Sequence, residues 1–235
     1  MTLSSVTRYP GGVTNVNDTS GLADLKFPSS FAYSTMEDDF HAYTAGNWTI
    51  AGAAQGVPAL VTGAQGDGGV LGVPTTAATG ETSVSMSVPA PTFVLSRTKD
   101  FFVAARVRLS VADAGLFFGL SGGSAATPVL TMPADGVFIR KEWTLAPMAY
   151  LRIGGVTAGS VQLNPMVSDQ WHDLVIAYTA ADGALRAFLD GGAGRIATNP
   201  AAFPTAALGL AFSARTQAAS IRNLLIDNYL IAKAR

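Results

Sequence analysis

Short runs in which apolar and polar residues alternate, each closed by Gly, Pro or Asp-Gly, recur along this chain from Glu37 onward. Successive side chains of a strand point to opposite faces, so such a run buries one face and wets the other; helices would need an apolar period near 3.6. Residues 82–88 (TSVSMSV) put Val84, Met86 and Val88 on one face and Ser83, Ser85 and Ser87 on the other. Residues 101–110 (FFVAARVRLS) repeat the pattern, with Phe101, Val103, Ala105, Val107 and Leu109 inward and Arg106, Arg108 and Ser110 outward. Further strands are expected at 115–121, 137–141, 149–153, 207–214 and 221–232, and no amphipathic helix of useful length is found. Many short strands with closely spaced turn signals make a sandwich or a barrel.

The chain has 235 residues, enough for one large all-β core. Charged residues are 13% and hydrophobic ones 49%, against about 25% charged in ordinary domains, so little of the chain asks for water. No apolar run approaches the roughly 18 residues of a membrane span, and residues 1–30 lack the basic start and apolar core of a signal peptide. A soluble protein made in the cytoplasm is expected. A net charge of −1 offers no field for phosphate backbones, so nucleic acid is not an expected partner. The absence of cysteine excludes disulfides and thiolate metal sites.

Residues 1–36 are different in character. They hold turn formers and polar residues without sustained periodicity, and Tyr9-Pro10-Gly11-Gly12 suits a type II turn, because Pro presets φ at the second position and Gly accepts a positive φ at the third. Leu3, Val6, Tyr9, Val13, Leu22, Leu25 and Phe27 are apolar enough to dock on something but too sparse to form a core. The expected organisation is an extended N-terminal arm over 1–36 and a β-sandwich over 37–235.

Residues 168–191 (SDQWHDLVIAYTAADGALRAFLDG) read as a hairpin: a strand over 171–179, a tight Ala181-Asp182-Gly183 turn and a returning strand over 184–190, with Trp171 expected in the core at its entrance. The ordered series WHDLVIAY, LRAFLDG, LGLAFS and IRNLLIDNYLI resembles the signature of laminin-G and concanavalin A-like jelly rolls. By the same resemblance EDDFHAY with Trp48 is the opening strand. The resemblance implies an all-β, antiparallel two-sheet jelly-roll sandwich, a superfamily that includes lectins, glycosidases, adhesion modules and viral structural proteins; fold alone does not choose among them.

The reactive residues argue against catalysis. His172 and His41 have no ligand spacing, and His172 is expected to be packed or at a rim. Gly119-Leu120-Ser121-Gly122-Gly123 matches the nucleophile elbow, with Asp135 and His172 following in triad order, but the residues after Ser121 are unsuited to the helix that an elbow requires. Glycoside hydrolysis needs paired carboxylates, whereas the three glutamates, Glu37, Glu81 and Glu142, are far apart and no E-x-D-x-E strand motif exists. Glu37-Asp38-Asp39 reads as a solvated strand edge, and residues 63–69 (GAQGDGG) as a hairpin tip. No catalytic residue, metal or cofactor is expected.

A structural or binding role remains. TRYPGGVTN resembles the N-terminal arms of tailed-bacteriophage virion proteins that carry a jelly roll. That resemblance implies a capsid decoration or cement protein, or another head-associated protein, at the virion surface. Its partners would be the major capsid protein and neighbouring copies in a homo-oligomer, with Arg8, Tyr9, Pro10, Val13, Leu22, Leu25 and Phe27 as contact residues and no membrane involved. The alternative is a carbohydrate-binding module of a phage fibre or surface protein. There an exposed aromatic would stack on sugar, with Trp143 and Tyr150 as candidates and Trp48 assigned to the core.

Overall fold

Alternation becomes two-layer architecture in the computed structural model, which describes residues 33–52, 56–61, 69–75, 82–89, 92–111, 113–122, 131–216 and 223–235. Fifteen strands follow in order: β1 (Tyr33–Asp38), β2 (Thr49–Ala51), β3 (Ala59–Leu60), β4 (Leu71–Pro74), β5 (Thr82–Ser87), β6 (Phe101–Leu109), β7 (Gly115–Gly122) and β8 (Gly136–Lys141), then β9 (Met148–Ile153), β10 (Val156–Gln162), β11 (Trp171–Thr179), β12 (Ala184–Leu189), β13 (Gly192–Thr198), β14 (Leu208–Thr216) and β15 (Asn223–Ala234). One sheet has eight strands in the order β13-β12-β11-β6-β15-β4-β3, with β1 also paired to β15; the other has seven in the order β10-β9-β8-β7-β14-β5-β2. Both sheets are antiparallel throughout the core. The expected two-sheet sandwich is the observed one, and no α-helix occurs among the described residues.

The inner faces supply the core. Val103 and Val107 of β6, Leu174 and Ile176 of β11, Leu116 and Phe118 of β7, Ile139 of β8 and Phe212 of β14 are fully buried in one cluster. In β15 a bulge between Ile226 and Asn228 shifts the register, so that Leu224 and Ile226 before it and Tyr229 and Ile231 after it all reach the same core. Without that extra residue, half of this long strand would turn its apolar side away. The strand β1 begins at Tyr33, pairing Tyr33 with Ala234 and Asp38 with Tyr229. The last residues assigned to the arm therefore belong to the sandwich.

Two sequence expectations change. Ser85 and Ser87 were expected on a wet face, yet both are buried; Ser85 donates to the Ser213 hydroxyl at 2.9 Å, and Ser213 donates to the Val84 carbonyl at 2.9 Å. A hydroxyl pair satisfied in this way can sit on a dry face without cost from unmade hydrogen bonds. Trp171 was expected in the core, but it sits half-buried on the outer face of the eight-stranded sheet. The Arg106 and Arg108 guanidinium carbons lie 5.8 and 5.4 Å from its ring centroid. Strand alternation is the reason: Leu174, Ile176 and Tyr178 face the core, so His172 does too and Trp171 cannot.

The two tryptophans should therefore differ sharply in unfolding experiments. Trp48 packs within 6.5 Å of Phe40, Phe212 and Tyr229, so Trp48→Ala should cost about 3 to 5 kcal/mol. Trp171→Ala, which loses partial burial and two exposed cation–π contacts, should cost no more than about 2 kcal/mol. Denaturant titration measures both, and a larger loss for Trp171 than for Trp48 would contradict this placement.

Candidate functional site

The triad suggested by residues 119–123 is not assembled. Ser121 lies in the body of β7, paired on one side with Gly209 and on the other with Gly136, and is buried. Gly119 has φ +145°, and a Cβ there would come 2.5 Å from the Val137 carbonyl oxygen, so its glycine serves close strand packing. Asp135 accepts the Gly154 amide at 2.8 Å. His172, on the other sheet, pairs instead through Nδ1 with Asp190 Oδ2 at 2.6 Å, while its Nε2 meets the Val167 backbone at 2.9 to 3.0 Å. Asp190, at φ 51°, also accepts the Asp173 amide through Oδ1 at 2.9 Å. His172 is thus a packed residue that ties the start of β11 to the β12–β13 turn.

The residues that face a ligand-sized space lie where the edges of the two sheets meet. A cleft of about 440 Å³ opens beside β1 and β2. Its polar lining is Asp38, Asn47 and Thr92, and its apolar lining includes Met36, Trp48, Val88 and Pro89, with Tyr229 below. That volume falls within the roughly 300 to 1,000 Å³ of small-ligand sites.

Local structure explains how these groups converge. Met36 and Asp38 share one face of β1, opposite Ile231 and Tyr229. Asp38 Oδ1 accepts the Phe40 amide at 2.7 Å, which ends the strand and holds Phe40 at φ 53° with its ring fully buried. Aspartate binding the amide two residues on is a standard way to turn a chain. A 3-10 turn, Ala45–Asn47, follows, closed by bonds from the Asn47 amide to the Thr44 carbonyl and from the Trp48 amide to the Ala45 carbonyl. That turn leaves Asn47 at the cleft while Trp48 enters the core. Among the described residues only the Oδ1 of Asp38 is engaged by the protein. Burial first, and then the nearby Asp38 charge, hold the Tyr229 phenol above its ordinary range.

The Glu37-Asp38-Asp39 run is therefore split among three environments. Glu37 is exposed, Asp38 lines the cleft, and Asp39 pairs with His41 at 3.2 Å on the surface. No group of three or more His, Asp or Glu side chains suited to a metal occurs among the described residues.

The two aromatics named for sugar stacking lie elsewhere. Trp143, at φ 44° between β8 and β9, is half-buried with the Arg215 guanidinium carbon 4.2 Å from its ring centroid. Tyr150, half-buried in β9, packs on Phe138 at 5.5 Å. Arg8, Tyr9, Pro10, Val13, Leu22, Leu25 and Phe27 lie outside the described residues, as do Glu81 and most of residues 63–69.

No family model and no curated protein sequence matches this chain. Solved structures do match its fold. The carbohydrate recognition domain of Emp47p aligns with a TM-score of 0.61 at 14% identity, over 88% of this chain and 100% of that one. Lectin I from Ulex europaeus, in complex with the methyl glycoside of α-L-fucose, aligns at 0.61 and 13% identity, over 86% and 98%. An endo-1,3-β-glucanase from Streptomyces sioyaensis aligns at 0.61 and 13%, over 88% and 98%. The chain has the concanavalin A-like jelly-roll fold that sugar-binding and sugar-cleaving proteins share.

Beside the Trp143 turn, Lys141 gives a testable pH dependence. Its side chain is buried and Nζ donates to the carbonyls of Ala114, at 2.9 Å, and Trp143. Burial lowers its pKa from 10.5 to about 8, with Asp113 pulling the other way. Between those values the unfolded chain holds a proton that the folded chain has released, so stability rises with pH. The Tyr229 phenol has the opposite effect above its ordinary 10.0, because there only the folded chain keeps the proton. The urea midpoint should climb from about pH 8 towards 10 and then fall, and Lys141→Met should flatten the climb. A midpoint that falls steadily from pH 8 would contradict this.

Proposed function

We propose that this protein binds carbohydrate in the cleft between β1 and β2. The observation that carries this reading is the lining itself: a carboxylate, a primary amide and a hydroxyl beside an apolar wall. A sugar presents the matching surface. Its hydroxyls donate to Asp38 and accept from Asn47, and its C–H face packs on Met36, Val88 and Pro89. A hydroxyl donating to an ionised carboxylate makes one of the stronger neutral-to-charged hydrogen bonds. Support also comes from the shared fold of two proteins that recognise sugars, the Emp47p domain and the Ulex lectin.

Hydrolysis is the competing chemistry, because a glucanase shares the fold. Its requirement for two carboxylates across a cleft is not met by the lining described, which supplies Asp38 alone. The two described glutamates sit apart, Glu37 on the exposed side of β1 and Glu142 beyond β8, ion-paired with Arg140. The reading is therefore of a binding site without turnover.

Two substitutions test the cleft without unmaking it. Asp38→Asn keeps an oxygen for the Phe40 amide but removes the charge, and should weaken glycan binding about tenfold or more. A Cβ at Gly46 meets no atom within 4 Å, so Gly46→Leu should fold normally while filling the cleft. A glycan array followed by calorimetry on the best sugar reads both effects. Binding that survives both changes, or an array without a ligand, would overturn the proposal. Release of reducing sugar from β-1,3-glucan would overturn the non-hydrolytic part.

A further inference from the structure

Asp38 and Tyr229 stand directly opposite each other where β1 pairs with β15, so their side chains leave the sheet on one face, with Cβ atoms roughly 4.5 to 5.5 Å apart. Both line the cleft beside β1 and β2. Each brings to it an oxygen that the protein leaves unused. The Asp38 carboxylate is fixed through Oδ1, which accepts the Phe40 amide at 2.7 Å, while Oδ2 has no partner among the described residues. The Tyr229 hydroxyl has none there either, although its ring packs among Phe40, Trp48 and Phe212 at 5.8, 5.8 and 6.1 Å and only 4% of the residue is exposed. A buried tyrosine ordinarily finds a hydrogen-bond partner for its hydroxyl. The two oxygens are placed for a group that is not part of the protein.

The charge of the cleft decides what kind of group that is. Among the described residues no lysine, arginine or histidine lines it, and Asp38 enters no ion pair. Tyr229 stays protonated, because burial and then the Asp38 charge raise its phenol above the ordinary range. Asn47 and Thr92 are neutral. The half-buried Asp38 carboxylate stands beside apolar Met36, Val88 and Pro89, where its field is screened less than in water. A cleft lined by one sign of charge draws in the opposite one. Trp48 and Tyr229 add aromatic rings, whose electron-rich faces also favour a cation. An anionic sugar is repelled by the same charge, and a neutral sugar leaves it uncompensated.

We propose that the cleft selects a sugar carrying a free ammonium, a hexosamine unit, over neutral and acidic sugars. Such selection presupposes that the cleft binds carbohydrate, and it narrows the class. Asp38 Oδ2 and the Tyr229 phenol oxygen accept two of the three N–H bonds of the ammonium, and Asn47 and Thr92 serve the neighbouring hydroxyls.

Three β-1,4-linked tetramers that differ only at C2 test this selection: those of glucosamine, N-acetylglucosamine and glucose. In calorimetry on the full chain at mildly acidic pH and low salt, the glucosamine tetramer should bind at least about tenfold more tightly than the other two, and added salt should shrink the margin. Asp38→Asn, which keeps an oxygen for the Phe40 amide, should bring the three to within about twofold of one another. Tyr229→Phe removes a hydroxyl that bonds to nothing among the described residues, so it should keep the urea midpoint at neutral pH and weaken glucosamine-tetramer binding about threefold or more. A preference that survives Asp38→Asn would place the cation elsewhere on the protein and overturn the selection. Unchanged binding in Tyr229→Phe would overturn the part given to the phenol. Equal or tighter binding of the glucose or N-acetylglucosamine tetramer, or a best array ligand without an ammonium, would overturn ammonium selection and leave sugar binding at the cleft standing. Binding of no sugar at all would remove both.

Discussion

Four aromatic rings hold the two sheets and the chain entrance together. Tyr229 comes from the eight-stranded sheet and Phe212 from the seven-stranded one, with centroids 6.1 Å apart. Trp48 stands edge-on to Tyr229 at 5.8 Å and packs against Phe212 at 6.3 Å, and Phe40 closes the group at 5.8 Å from Tyr229. Rings at these separations gain from edge-to-face and offset contact beyond their buried area. Phe40 can join only because its backbone adopts φ 53°, a conformation that non-glycine residues rarely take, and the Asp38 side chain bonded to its amide favours that turn. The polar rim and the core are therefore one construction, in which the residue that makes the turn is also the carboxylate of the cleft.

Much of this was legible in the alternation of the strands and little of it in the cleft. The pattern at 82–88, 101–110 and 171–179 falls on β5, β6 and β11 to within a residue or so. The strands β10 and β13 escaped, because VTAGSVQ and GAGRIAT carry glycine and small residues and stay largely exposed at sheet edges, where no apolar face is demanded. Trp171 shows a different failure. Its odd spacing from Leu174 and Ile176 already sets it on the opposite face of β11, where its large amphipathic ring packs beside two arginines. The cleft joins Asp38 and Asn47 to Thr92 and Tyr229, residues far apart in the chain that meet only because β1 pairs with β15 and β2 with β5. A local pattern cannot report such a meeting; the one local signal was Asp38 two residues before a bulky Phe, an arrangement that makes turns.

The low charge has a structural meaning that composition alone did not give. A sandwich with wet outer faces needs polar residues at alternate positions of every strand. Here that demand is relaxed on both sheets. Besides the buried strip of Ala104, Val175 and Phe188 on the outer face of the eight-stranded sheet, the seven-stranded sheet carries Phe117 and Phe138 on its outer face, 4.8 Å apart and fully buried, with Ala211 beside them. Polar groups that remain on those faces are paired at short range, as in Ser85 with Ser213 and Arg140 with Glu142. Each sheet thus has two dry sides over part of its area, which is how 13% charged residues can serve a chain of this size.

That arrangement also narrows where a ligand can be met. Over the buried strips of the two broad faces, which a ligand would otherwise approach flat on, little apolar surface is exposed. The edge beside β1 and β2 is different: a short 3-10 turn follows β1, and Asp38, Asn47 and Thr92 line a cleft there. Asp38 Oδ1 accepts the Phe40 amide, so the group that turns the chain is also the one that faces this cleft.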